Sequence, residues 1–291
     1  MSEAVRLRAR AEGLAAPLPP LLAEAEHLAS TALPGVHGRR RAGMGDEFWQ
    51  YRPAHAGDEA RQIDWRRSAR SDAHFVREKE WQAAQSVVIW ADDALSMNFT
   101  SDRNLPAKRE RAALLAMALA VLLVRGGERV GLADGAIAPA SGEVQLVRLA
   151  RALAAPAGAR DFGVPETAGL VAHSRAVFIS DFLGEVALVE ERLVEAAERG
   201  VTGALLQVLD PQEESFPFDG RTIFESMGRT LSHETLKAAD LRDRYLQRLA
   251  ARKARLADLA RRTGWQYHCH HSSEPASTAL LWAYGALERR A

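Results

Sequence analysis

From Ser86 to the C-terminus, short apolar runs rich in β-branched residues alternate with longer helical stretches, and few architectures accept that pattern. Ser86 to Trp90, with two valines and an isoleucine, reads as a buried strand. Residues 106–125 read as a long helix, Arg129 to Ala133 as a second strand, and Gly135 as a turn into a third. Residues 144–154 are helical in pattern, and Ala176 to Ser180 is a strand that ends in Asp181. Over 186–199, Val186, Val189, Leu193 and Ala197 form one stripe of an amphipathic helix, and Gly203 to Leu209 follows as a strand. After a polar loop come a long helix over 235–262, a last strand from Trp265 to His271 and a helix opened by Pro275, where a missing N–H is tolerated. Such alternation predicts an α/β domain over residues 83–291, a mostly parallel sheet with helices on both faces.

The first third is different. Residues 1–34 are rich in Ala, Leu and Glu, with Pro17, Pro19 and Pro20 in the middle, and read as N-terminal helices. Residues 35–82 carry glycines, arginines and aromatics with poor helical periodicity, as expected of a module of short strands with a turn at Gly57-Asp58.

Charge excludes a general attraction to polyanions: Lys+Arg and Asp+Glu are both 38. Cys269 is the single cysteine, so no intrachain disulfide can form. Met1 to Arg10 has no apolar signal core. The longest apolar run, Ala112 to Val124, is too short for a membrane span and lies between Arg111 and Arg125. The expectation is a cytoplasmic protein with no membrane span.

Candidate chemistry gathers where strands end. Ligands of open α/β sheets bind beyond the carboxyl ends of the strands, at the point where strand order reverses. Asp92, Ser96 and Asp181 are placed to meet there and could hold Mg²⁺ or Mn²⁺ weakly through oxygen ligands. Equally, Asp92 and Asp181 could simply cap helix N-termini.

The run Asp92 to Ser96 resembles the Asp-x-Ser-x-Ser metal-ion-dependent adhesion site of von Willebrand A domains, with Asp181 as its distal aspartate. Ala94 stands where the first serine belongs, so the site is degenerate. Upstream, Gly43-Met44-Gly45-Asp46-Glu47-Phe48, then Arg52 to Trp65, then Ala69-Arg70 resemble the signature of domain-of-unknown-function family fifty-eight, a likeness extending over roughly residues 35–285. The resemblance implies a von Willebrand A-like, Rossmann-type doubly wound fold with strand order 3-2-1-4-5-6. It also implies partnership with a MoxR-type AAA+ ATPase in the chaperone-like assembly or activation of a client protein.

Within that signature, Arg52, Gly57, Asp58, Arg61, Asp64, Trp65 and Arg70 read either as a partner-docking surface or as an internal ion-pair network. His268-Cys269-His270-His271 splits between two faces of a strand and lacks a second ligand cluster, which disfavours zinc. The helix over 235–262 carries nine Lys/Arg against three Asp; a solvated face is its expected use, with nucleic-acid binding the alternative. No hydrolase, Walker A, zincin or dinucleotide motif is present. The resulting expectation is a non-enzymatic adaptor; the alternatives are a metal-dependent hydrolase using Asp92 and Asp181, or a nucleic-acid-binding protein using the basic helix.

Overall fold

The computed structural model describes residues 19–32, 42–55, 63–69, 74–80, 84–156 and 158–288. The chain divides into two compact units, one of residues 1–34 with 85–291 and one of residues 35–84. The first helix, α1 (Pro19–Ala32), therefore belongs with the α/β unit and not to a separate module: it packs on three other helices of that unit, with Ala25 and Ala29 buried. Pro19 and Pro20 open it, where the absent N–H groups cost nothing.

In the smaller unit, β1 (Ala42–Pro53) pairs antiparallel with β2 (Phe75–Glu80), and between them lies a single helical turn, α2 (Trp65–Ser68). Ser68 fastens that turn: its Oγ donates to Asp64 O at 2.8 Å and accepts from Phe75 N at 2.9 Å.

In the larger unit, β3 (Ser86–Ala91) leads to α3 (Lys108–Arg125), β4 (Arg129–Leu132), α4 (Glu143–Leu153), β5 (Arg175–Ser180) and α5 (Val186–Glu198). Then come β6 (Thr202–Leu209), a short α6 (Pro211–Ser215), β7 (Thr222–Glu225), β8 (Ser232–Thr235), α7 (Ala239–Arg262), β9 (Gln266–His271) and α8 (Ala276–Glu288). The sheet order is β4-β3-β5-β6-β9, every pair parallel.

Both faces of the sheet are covered because its strands are apolar on both sides. In β3, Val87 and Ile89 pack into the layer of α1, α3, α4 and α8, whereas Val88 and Trp90 pack against α5 and α7. Each fully buried Leu or Ile in these layers contributes about 1.5–3 kcal/mol relative to exposure. The apolar run that opens at Ala112 lies in α3, largely buried between the sheet and helices α1 and α8. Among the described residues no helix is long and apolar enough to cross a membrane.

Two expectations need correction. Among the described residues the sheet has five strands, not six: the segment after Gly135 makes one antiparallel bridge, Ala140 to Val130. Leu132 N donates to Ile137 O and Val130 N to Ala140 O, both at 2.8 Å, so the turn covers the edge of β4. Pro139 has no N–H with which to extend a ladder. Second, residues 210–234 are not a plain polar loop but hold α6 and the antiparallel hairpin β7–β8; the long helix starts at Ala239 rather than at 235.

Candidate functional site

Three central strands each run into a buried aspartate at their carboxyl ends: Asp92 after β3, Asp181 after β5 and Asp210 after β6. The Asp92 carboxylate accepts from Ala94 N (2.8 Å) and from Ser180 Oγ (2.6 Å). Burial pushes its pKa up to about 6, although the bonds from Ser180 and Ala94 oppose the rise.

A lysine completes the edge. Lys108, the first residue of α3, is 1% exposed, and its Nζ lies 2.8 Å from Asp181 Oδ2 and 2.6 Å from Glu213 Oε1. The ammonium also sits 5.8 Å from the centroid of the Phe99 ring. Burial alone would depress its pKa, but the two carboxylates outweigh burial and hold it above the ordinary lysine value. The remaining oxygens hold loops: Asp181 Oδ1 accepts from Leu183 N (3.0 Å) and Glu213 Oε2 from Asp210 N (2.9 Å). Asp210 caps α6 through Gln212 N and also takes Ser101 N at 2.9 Å.

A loop closes over Asp92. Gly158 N donates to Asp93 O, Leu95 N to Arg160 O and Ser96 N to Asp161 O, all at 2.8–2.9 Å. Asp161 in turn accepts from Gly228 N (2.6 Å) and from Thr230 Oγ1, which ties the tip of the β7–β8 hairpin to this loop.

Asp92, Ser96 and Asp181 lie at the carboxyl edge of the sheet, and the donor set there does not fit a resident divalent cation. All six carboxylate oxygens of Asp92, Asp181 and Glu213 accept protein hydrogen bonds, and an ammonium already neutralises two of them. Ser96 Oγ is buried without a partner, and Ala94 offers no oxygen in its side chain. Among the described residues no group of three or more His, Cys, Asp or Glu is arranged to hold a metal.

The other candidates are dispersed. Arg52 lies on β1 opposite Val76. Trp65 is 56% exposed and meets His74 edge-on at 5.5 Å. Asp64 N donates to Phe75 O. Gly57, Asp58, Arg61 and Arg70 lie outside the described residues. In β9 the polar cluster divides by face: His268 stacks on Trp282 at 4.9 Å and His270 is buried beside Glu274, whereas His271 contacts Glu214. On the basic helix α7, Arg255 and Arg262 pair with Glu190, Lys253 with Glu214, and Arg252 donates to Phe182 O and Gly184 O.

Sequence reasoning missed Lys108, Asp210 and Glu213. For the last two a signal existed: Asp210-Pro211-Gln212-Glu213 is a helix start with a capping box, and the structure contains it. For Lys108 the clue is compositional. Lys79, Lys108, Lys237 and Lys253 are the lysines in a chain whose Lys+Arg total is 38. A lysine opening a helix, where the macrodipole disfavours a cation, needs a reason in such a background.

The proteins this chain is similar to name no activity. Uncharacterized proteins from Mycobacterium bovis and Mycobacterium tuberculosis are each 29% identical over 246 residues, covering 80% of this chain and 76% of their own. Two solved structures are similar over 70% of this chain and 98% of theirs. One is the conserved hypothetical protein BatB from Bacteroides thetaiotaomicron, at a TM-score of 0.41 and 15% identity. The other is an aerotolerance-related membrane protein from Bacteroides fragilis, at 0.44 and 16%. A family model described as "Protein of unknown function DUF58" matches residues 50–255, which takes in the sheet from β3 through β6 and most of α7. The chain belongs to that family.

Proposed function

We propose that the protein is a non-enzymatic adaptor that works with a MoxR-type AAA+ ATPase, in the cytoplasm, to assemble or activate client proteins. We read its sheet as von Willebrand A-like: β4-β3-β5-β6-β9 follows the order 2-1-4-5-6 with the third strand reduced to a bridge. In this reading the carboxyl edge serves as a fixed platform. Asp92 and Asp181 are buried and engaged, which argues against their use as hydrolytic groups. The intramolecular pairs along α7 likewise argue against a nucleic-acid face.

One observation carries the reading: the β7–β8 region presents exposed apolar side chains beside that edge. Ile223, Met227, Leu231 and Leu236 are all exposed, Leu236 at 75%. On the other face of β7 from Ile223, Phe224 joins Phe216, His233, Leu241 and Tyr245, with Arg244 and Arg248, in lining a cavity of about 370 Å³ that no carboxylate lines. An apolar anchor on an acidic partner segment suits it, since large exposed apolar groups of this kind mark interaction sites.

Co-purification with the MoxR-type ATPase of the same cell tests the reading. Retention of the ATPase by the full chain, reduced by Ile223→Asp with Leu231→Asp, is the expected result. No retention under native conditions would sink it.

A further inference from the structure

We infer that the Lys108 ammonium is the permanent counter-cation of Asp181 and Glu213, and that it holds this part of the carboxyl edge in a single, metal-independent state. The inference goes beyond the adaptor reading and does not rest on it.

The geometry is that of a cation site with the cation supplied by the chain. Nζ lies within 2.8 Å of carboxylates from two different segments, Asp181 after β5 and Glu213 in α6. It reaches them from the start of α3, a third segment, and Phe99 lies close by on a fourth. An exposed lysine would point into water, but Lys108 is 1% exposed, and a buried ammonium persists only with partners of opposite charge. A divalent ion brought to the same carboxylates would lie against a fixed positive charge. Ser96 Oγ, buried and without a partner nearby on the same edge, is the one oxygen of the expected ligand set that no protein group has claimed.

The lysine differs from a metal in one functional respect. A metal can leave, so a metal-bound edge has two states, set by ion concentration. A covalently attached ammonium keeps Asp181, α6 and the start of α3 joined whatever the ion concentration. The platform below the β7–β8 hairpin is therefore constitutive.

The test follows thermal unfolding and Mn²⁺ binding of the full chain. The wild type should unfold at the same temperature in EDTA and in millimolar Mn²⁺, with no saturable Mn²⁺ binding by calorimetry. Lys108→Ala, which leaves the carboxylates without a counter-cation, should unfold at a lower temperature and recover part of the loss when Mn²⁺ is added. Should Lys108→Ala not fold, the charge-free variant Lys108→Met with Asp181→Asn and Glu213→Gln should fold and be indifferent to Mn²⁺. Saturable Mn²⁺ binding by the wild type that disappears in Asp181→Asn would overturn the inference. So would a folded Lys108→Ala chain that gains nothing from Mn²⁺, or a charge-free variant that fails to fold.

Discussion

Gly163 passes so close to Asp92 that a Cβ built on it would lie 2.1 Å from Asp92 Oδ1. The loop that carries Gly163 is hydrogen-bonded along residues 93–96 and, through Asp161, to the tip of the β7–β8 hairpin. Contact between a glycine and a buried carboxylate therefore joins the sheet's carboxyl edge to the surface proposed to meet a partner.

Gly163→Ala should lower stability by about 1–3 kcal/mol, the usual cost of forcing extra volume into a packed site. In an Asp92→Ala background the carboxylate that blocks the new methyl group is gone, so the same substitution should cost less. A double-mutant cycle by urea unfolding reads the difference, and coupling of about 0.5–3 kcal/mol is the range for residues in contact. Equal costs in both backgrounds would show that the close approach does not matter.

Lys108→Arg keeps the charge and should still destabilise. A planar guanidinium is larger than an ammonium and needs a fork of acceptors, whereas Asp181 and Glu213 each offer Lys108 one oxygen in a largely buried site. Overpacking of that kind costs about 1–3 kcal/mol. Lys108→Met should cost more, about 3–5 kcal/mol, because it leaves buried carboxylates without their cation. Urea midpoints that rank arginine below methionine would contradict the argument.

The hairpin and the smaller unit offer separate candidate surfaces, and single substitutions distinguish them. Ile223→Asp replaces a side chain that is 56% exposed, so stability should move by no more than about 0.5 kcal/mol. If the hairpin is the hot spot, capture of the ATPase should fall about tenfold or more. Trp65→Ala removes the exposed indole of the smaller unit and leaves capture unchanged if the hairpin alone binds. Loss of capture with Trp65→Ala and not with Ile223→Asp would move the interface to the smaller unit.

Much of the fold was legible because its signals are local. Outside residues 210–238, strands and helices from Ser86 to Glu288 follow hydrophobic periodicity, and the parallel sheet's β-branched runs fall within a residue or two of the observed strands. The third strand was misread because Ile137 to Ala140 has the apolar character of a strand, while its pairing is decided by Pro139 and by a turn too tight to add a parallel ladder. The site was legible only in part. Asp92 and Asp181 announce themselves as acidic residues after apolar strands. Lys108 and Glu213 join them through contacts spanning 73 and 105 residues of sequence, which no local pattern encodes.

Acid titration should separate two buried groups with opposite effects. The folded Asp92 carboxyl titrates at about 6, against 3.8 as its ordinary value. The folded state therefore binds the extra proton between these values, and stability falls as pH rises from 4 to 6, by about 3 kcal/mol in total. His270 behaves oppositely. Burial, with Arg111 nearby, holds its pKa down at about 4, against 6.5 ordinarily, so the unfolded state binds the extra proton. Its share of stability is intact above pH 6.5 and is lost as pH falls toward 4. Relative to wild type, Asp92→Asn should thus gain stability as pH rises from 4 to 6, and His270→Gln should gain it as pH falls from 6.5 to 4. Urea unfolding across that range measures both difference curves. Two slopes of the same sign would mean that one of these groups does not carry the burial assigned to it.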